Sequence, residues 1–452
     1  MNKVGQAQAD SAPKDHAQTD RIPADSAPMD HAQTDRMPAD SAPMDPMSAG
    51  RMLPDPVFRR RITLFQLLSF ASFASMNYYT VLLKNIGFSA TQIGFWGSVS
   101  SIIAVLTLPV WGILSDKIGS AKKLYLLAMI LYAAFFAAMP AAGAAAAFNP
   151  APIFLMILGY SLVRQPTHSL QDAWVIDVTE SHGINYTSSR KWGSFGFALV
   201  SIFFGIATPY IGIPLTFYAA AVFIIPLVVL CRYIRPADKP PQSAVAQSID
   251  IKPNKTKIRP WLLLRNYRLM TAFLMTLSLG FYSAMVTPFY PYILESAGMQ
   301  ANQFGTVSGY GAFVQVVCMW LISRYCSGVP LTIILIAGGL AGVLENVVYG
   351  LASNAWMMML AGTLWGISMG INVSALPTYI NSLVPRTHAA TAMALNGTMV
   401  MLLTIAGNYS GGLLITSIGI DSYNYVLAAV RGALTLLFAL SLLTGRKLNT
   451  KE

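Results

Sequence analysis

Twelve long apolar runs alternate with short polar loops along this chain. They fall near 63–83, 93–114, 124–142, 153–178, 192–210, 214–233, 270–290, 304–322, 331–351, 356–379, 394–416 and 423–444. A run of about 20 apolar residues is long enough to cross the hydrocarbon core of a bilayer as a helix. In lipid, only helices and closed barrels satisfy their own backbone hydrogen bonds. These runs are too long and too uniformly apolar for barrel strands. The pattern predicts an all-α membrane protein with twelve transmembrane helices. The polar remainder sets its divisions: a tail over 1–57, six runs within 58–235, a polar, Pro-rich linker over 236–266, six runs within 267–447, and a short end at 448–452.

Composition changes the picture by exclusion. The chain is 54% apolar and only 11% charged, against roughly 25% charged in a soluble domain. Several soluble domains are therefore ruled out. The net charge of +11 does not point to nucleic acid, because the basic residues flank the runs instead of forming one patch. Arg59, Arg60 and Arg61 precede the first run. Lys117, Lys122 and Lys123 lie between the second and third, and Arg190 and Lys191 precede the fifth. Arg232 and Arg235 follow the sixth, and Arg446 and Lys447 follow the twelfth. The alternate loops hold little beyond Lys84, Glu295 and Asp421. Basic flanks mark the cytoplasmic side, so a multi-pass protein of the cell membrane with both ends cytoplasmic is expected. The three cysteines, Cys231, Cys318 and Cys326, lie in or beside runs. They give neither a disulfide framework nor a metal spacing, and no metal or cofactor is expected.

The tail is a different material. A 15-residue unit, A-D-S-A-P-x-D-H-A-Q-T-D-R-x-P, repeats from Ala9 and again from Ala24. It has no aromatics and no apolar face, so it cannot build a core. It lacks the apolar centre of a signal peptide.

The two sets of six runs resemble each other. Gly87-Phe-Ser-Ala-Thr-Gln-Ile-Gly94 opens the second run and Gly298-Met-Gln-Ala-Asn-Gln-Phe-Gly305 opens the eighth. Both fit G-x-x-A-x-Q-x-G at an offset of 211 residues, and Tyr79 matches Tyr290 at the same offset. A duplicated six-helix unit is expected, giving two pseudo-symmetric halves. Transporters built from parallel repeats hold their substrate between the repeats, near the midplane.

Between the second and third runs stands Gly112-Ile-Leu-Ser-Asp-Lys-Ile-Gly-Ser-Ala-Lys-Lys123. Gly112 suits close helix approach and Gly119 a tight turn. Asp116 can accept from backbone N–H groups or pair with a basic side chain. The segment resembles the major facilitator signature G-x-L-x-D-[RK]-x-G-x-[RK]-[RK], which implies a gate on this face made by Gly112, Asp116, Lys117, Gly119, Lys122 and Lys123. The equivalent turn, Ser323-Arg-Tyr-Cys-Ser-Gly328, lacks the Asp. Arg190-Lys-Trp-Gly-Ser-Phe-Gly-Phe197, Leu170-Gln-Asp-Ala173 and Asn77-Tyr-Tyr79 resemble the branch containing lactose permease, nucleoside–proton symporters and phenylpropionate-type permeases. By this resemblance Arg190 is grouped with the gate. The first, fourth, seventh and tenth helices are implied to line a central cavity.

Charges inside a membrane cost about 2.5–3.5 kcal/mol each on insertion scales, so they are candidates for function. At about 100° per residue, Arg164, His168, Gln171 and Asp172 share one arc of the fourth run. Arg164, near the midplane, suits a carboxylate or phosphate, or an internal ion pair. His168 and Asp172 suit a coupling proton. Asn77, Tyr282, Trp365 and Asn372 are the companion substrate-binding candidates with Arg164, His168 and Gln171. Glu345 and Arg431 lie in the ninth and twelfth runs, which the resemblance places at the periphery, and are expected to pair with each other.

The expected function is alternating-access transport of a small polar organic solute (a sugar, nucleoside or organic acid), coupled to a proton, by a monomer in the lipid bilayer. Proton-coupled efflux of drugs or metabolites is the alternative. An enzyme would need a cluster of nucleophile, base or metal ligands, and no such spacing is present. A sensor would need a folded output domain, and the tail and linker are too short and polar for one.

Overall fold

The computed structural model describes residues 55–184, 186–235, 263, 266–326, 328–385 and 388–448. The repeats of the tail, most of the linker and the last four residues lie outside them. Among the described residues every regular element is helical. Span one comprises α1 (Pro56–Phe73), a 3-10 turn (Ala74–Tyr78) and α2 (Tyr79–Asn85). Spans two to six are α3 (Ala90–Ile118), α4 (Ala121–Ala145), α5 (Ala151–Ser181), α6 (Tyr186–Ile211) and α7 (Ile213–Tyr233). Span seven comprises α8 (Tyr267–Phe281), a π turn (Tyr282–Val286), a 3-10 turn (Thr287–Phe289) and α9 (Tyr290–Ser296). Spans eight to twelve are α10 (Phe304–Tyr325), α11 (Leu331–Leu351), α12 (Ala355–Ser382), α13 (Ala389–Ile418) and α14 (Ile420–Leu448).

Ten of the twelve spans are long and apolar enough to cross a membrane by length and composition alone. The exceptions are spans one and four. Polar residues dilute both, and those residues meet in the interior. Ser69 Oγ donates to Gln171 Oε1 at 2.8 Å, and Gln171 Nε2 donates to Gln66 Oε1 at 3.3 Å. Buried amides and hydroxyls are tolerable in lipid only when paired in this way.

The protein is an all-α membrane protein of twelve transmembrane helices in two pseudo-symmetric halves. The main packings in the first half have counterparts six spans later. Span three packs on four as nine packs on ten, three on six as nine on twelve, and one on five as seven on eleven. Local chemistry repeats as well. Ser89 and Gln92 close a capping box at the head of α3, and Gln300 and Gln303 close one before α10, satisfying N–H groups the helix start leaves free. Both break points return to α-helix at a matching tyrosine, Tyr79 or Tyr290.

The halves meet where span two crosses eleven and span five crosses eight. Glycine sets both crossings. A Cβ on Gly94 would stand 2.2 Å from the Asn408 carbonyl oxygen, and one on Gly305 would stand 2.3 Å from that of Ser201. Only residues without a side chain let the backbones approach so closely. Hydrogen bonds linking the halves cluster at the same end, where Thr208 Oγ1 donates to Asn302 O at 2.8 Å and Tyr292 Oη to Phe88 O at 3.1 Å. Lys84 pairs there with Glu295. This end lies opposite the loops that carry the basic residues. We call the two faces the sealed face and the basic face.

Candidate functional site

A cavity of about 420 Å³ lies between the halves, within the size range of small-molecule sites. Spans one, two, four and five line one side, and spans seven, eight, ten and eleven the other. It reaches from Thr287 and Phe304, near the seal, to Arg190 and Ser194 in the first turns of α6. Those turns lie at the basic face, so the cavity opens toward that face.

The first half supplies the charge. Arg164 and His168, one turn apart on α5, both face the cavity. Arg164 is exposed to it. Among the described residues it makes no hydrogen bond and no ion pair. His168 packs on Phe73 with its ring tilted by 34° and centroids 4.0 Å apart. The Arg190 guanidinium sits 3.7 Å from the centre of the Phe70 ring, a cation–π geometry. Both arginines are close enough to act electrostatically on His168. Among the described residues no Asp or Glu lines the cavity.

The second half supplies aromatic and neutral polar groups. Tyr282 and Trp365 pack with centroids 4.9 Å apart, and the buried Trp365 Nε1 has no hydrogen-bond acceptor among the described residues. Asn77 bridges the halves: its Nδ2 donates to Ser201 Oγ at 3.1 Å, and its Oδ1 accepts a long, 3.5 Å contact from Ser308 Oγ.

Five sequence candidates therefore meet at one cavity: Arg164, His168, Asn77, Tyr282 and Trp365. Three do not. Gln171 is turned into the seam with Gln66 and Ser69 and is 1% exposed. A buried amide goes where its partners are, and the partners lie on span one, off the cavity. Asn372 is also absent from the lining, and its Nδ2 points at Met369 Sδ, 3.7 Å away. Asp172 sits toward the basic face, where Tyr186 Oη donates to its Oδ1 at 2.7 Å. Arg190 acts on the same tyrosine hydroxyl.

Arg190, grouped with the gate by its motif, lines the cavity. Gly112 has nothing within 4 Å of where a Cβ would be, so no close helix approach occurs there in this state. Gly119 does make the turn, with φ of 66° at the end of α3. Asp116 is exposed, and among the described residues its carboxylate has no partner. Lys117 and Lys123 are exposed too, while Lys122 Nζ donates to Ile234 O at 2.8 Å. The sequence also missed Tyr79 and Tyr160, which stack 5.4 Å apart against the cavity. Their span positions offered no signal distinct from ordinary core tyrosines.

Glu345 and Arg431 form a fully buried ion pair, Nη1 to Oε2 3.0 Å, each side chain 0% exposed. Ser368 Oγ accepts from Nη2 at 3.4 Å. A Cβ on Gly342 would fall 1.8 Å from Nη2, so that glycine makes the room for the guanidinium.

Comparison with known proteins decides the family. The MFS_1 like family matches residues 60–425. The chain belongs to it. It is a major facilitator superfamily transporter, not an enzyme. Among its relatives is the maltose permease of Geobacillus stearothermophilus, 23% identical over 360 residues, covering 77% of this chain and 87% of the relative. Another is the sucrose permease of Escherichia coli, 24% identical over 316 residues, covering 67% and 73%. Among solved structures, the nucleoside transporter NupG superposes with a TM-score of 0.66 at 17% identity, covering 85% of this transporter and 99% of NupG. The POT family transporter PepTSo gives 0.62 at 12%, covering 88% and 99%. At such identities the structures speak for the fold alone.

Proposed function

We propose that this transporter takes up a small polar organic solute (a sugar, nucleoside or organic acid) by alternating access, driven by a proton. It acts as a monomer in the cell membrane, with both ends and the basic face in the cytoplasm. The observation that carries this reading is the cavity between pseudo-symmetric halves, sealed on one face and lined by Arg164, His168, Asn77, Tyr282 and Trp365. The sugar permeases among its relatives support the solute class.

The geometry fits a cycle. In the state described, the glycine crossings hold the sealed face shut and the solute leaves toward the basic face. Parting those crossings while the basic face closes opens the cavity to the other side. The turn at Asp116 and Gly119 is the element on the basic face available to latch that second state.

Asp172 is the candidate for the coupling proton. It lies beside the exit path, bonded to Tyr186 and near Arg190, so its charge state bears on a cavity arginine without blocking the cavity. Uptake into proteoliposomes, with and without an imposed proton gradient, tests the reading. Accumulation should need the gradient. Asp172→Asn should lose accumulation while keeping solute exchange across the membrane, since exchange need not release the proton. Gradient-driven accumulation in Asp172→Asn would place the proton elsewhere. Solute extrusion under the same gradient would turn uptake into efflux.

A further inference from the structure

The cavity has an electrostatic asymmetry that the solute must answer. Arg164 and Arg190 both line it from the first half, with His168 between their influences. No carboxylate joins them in the lining among the described residues. The nearest acid given by the contacts, Asp172, is reached only through the Tyr186 hydroxyl. Another cation of the interior, Arg431, shows what pairing looks like here: its Nη1 lies 3.0 Å from the Glu345 carboxylate. Two guanidinium groups lining one cavity with no carboxylate in its wall offer their charge to whatever enters, and favour an anion. Across the cavity, Tyr282 and Trp365 offer a ring surface and an indole N–H with no acceptor among the described residues.

From this juxtaposition we propose that the transported solute is an organic anion, whose carboxylate or phosphate is held by Arg164 and Arg190 and whose ring body rests on Trp365 and Tyr282. The proposal rests on the transport reading above and narrows its solute class. Arginine forks suit both anion types, because each presents paired oxygens. Phe70, stacked 3.7 Å beneath the Arg190 guanidinium, fixes one face of that group, while among the described residues its edge meets only neutral hydroxyls, Ser194 Oγ at a long 3.5 Å and that of Tyr186. Arg190 is thereby a specificity-determining residue: it sets anion over neutral solute.

Binding to the purified full-length protein in nanodiscs tests this, with three probes sharing one ring: 4-nitrobenzoate, 4-nitrophenyl phosphate and the neutral 4-nitrophenyl glucoside. At least one anion should bind ten times more tightly than the glucoside, and the preference should weaken as salt rises. Arg190→Gln should cut the ratio of anion to glucoside affinity at least tenfold, while Arg190→Lys keeps part of it. Which anion binds more tightly identifies carboxylate or phosphate as the natural group. Thermal melting of each variant separates loss of fold from loss of recognition. Tighter binding of the glucoside, absence of binding by both anions up to 10 mM, or an unchanged ratio in folded Arg190→Gln would each overturn the proposal. If the glucoside also accumulates in proteoliposomes under a proton gradient, the transport reading stands and only the anion is lost.

Discussion

Arg431 and Arg164 are both arginines placed well inside a membrane span, and the protein treats them oppositely. Arg431 is sealed in the second half. It has a carboxylate at 3.0 Å, no exposure, and a glycine cut away to admit it. Arg164 stands in the first half against open cavity, with no such partner among the described residues. The halves share their helix packing to the level of individual crossings, so architecture does not cause the difference. What differs is the presence of a carboxylate within reach. A paired buried charge is fixed structure. An unpaired one facing a cavity awaits a ligand. Intramembrane charge alone marks a candidate; its partner decides which kind.

The largest effect should come from breaking the paired arginine. Removing one member of a buried ion pair strands the other, at about 3–5 kcal/mol. Glu345→Gln and Arg431→Gln should each lower the melting temperature markedly, and the double variant should recover part of the loss. Strictly additive losses would show that the two side chains are not coupled. Gly342→Ala should act in the same direction, since its methyl group competes with the guanidinium for space, at about 1–3 kcal/mol.

Arg164 should answer differently. Arg164→Lys keeps the charge but loses the planar fork. Solute affinity should fall about tenfold, equivalent to about 1.4 kcal/mol, with melting nearly unchanged. A variant that melts early yet binds normally would make Arg164 a structural residue like Arg431, and the contrast between the halves would fail.

How far the sequence shows this contrast depends on what its signals measure. Hydropathy and the position of Lys and Arg made the twelve spans legible, because the bilayer imposes a length and a polarity that few sequences meet by accident. The match between Gly87–Gly94 and Gly298–Gly305 revealed the duplication, because capping and close helix crossing constrain short segments tightly. Side-chain direction was less legible. Gln171 and Arg164 share an arc of α5, but hydrogen-bond partners on span one draw Gln171 away. Arg190 carries a motif that reads as a gate, and in the fold its guanidinium lies over Phe70 at the cavity wall. Tyr160 looks like a core residue in sequence because it is one, and half-buried Tyr79 packs against it at the cavity wall.

A third comparison sets a surface pair against the buried one. Lys84 and Glu295 are 211 residues apart, the offset of the internal repeat. Matched positions of the two halves thus carry opposite charges and meet across the seal. Their side chains are 16% and 49% exposed, so the pair should contribute only about 0.2–1 kcal/mol. Lys84→Glu should loosen the seal slightly, and Lys84→Glu combined with Glu295→Lys should restore it. Double electron–electron resonance between labels on the sealed face measures this. Identical distance distributions in all three proteins would remove the pair from the seal.

The smallest effect on the state described here should come from Asp116, and that smallness is informative. Its carboxylate is exposed and, among the described residues, unpartnered, so Asp116→Asn should change melting by less than about 0.5 kcal/mol, as surface substitutions usually do. The turn itself should survive, because Gly119 with φ of 66° makes it without help from Asp116. If Asp116 latches the basic face when that face closes, the carboxylate stabilises only the other state. Removing it then shifts the population toward the open basic face. A shift of even 1 kcal/mol changes a two-state ratio about fivefold, which distance distributions between the basic ends of spans two and eleven would resolve. Asp116→Asn should lengthen those distances and slow transport while leaving solute affinity at the basic face unaltered. Unchanged distances with normal transport would make the segment a plain turn.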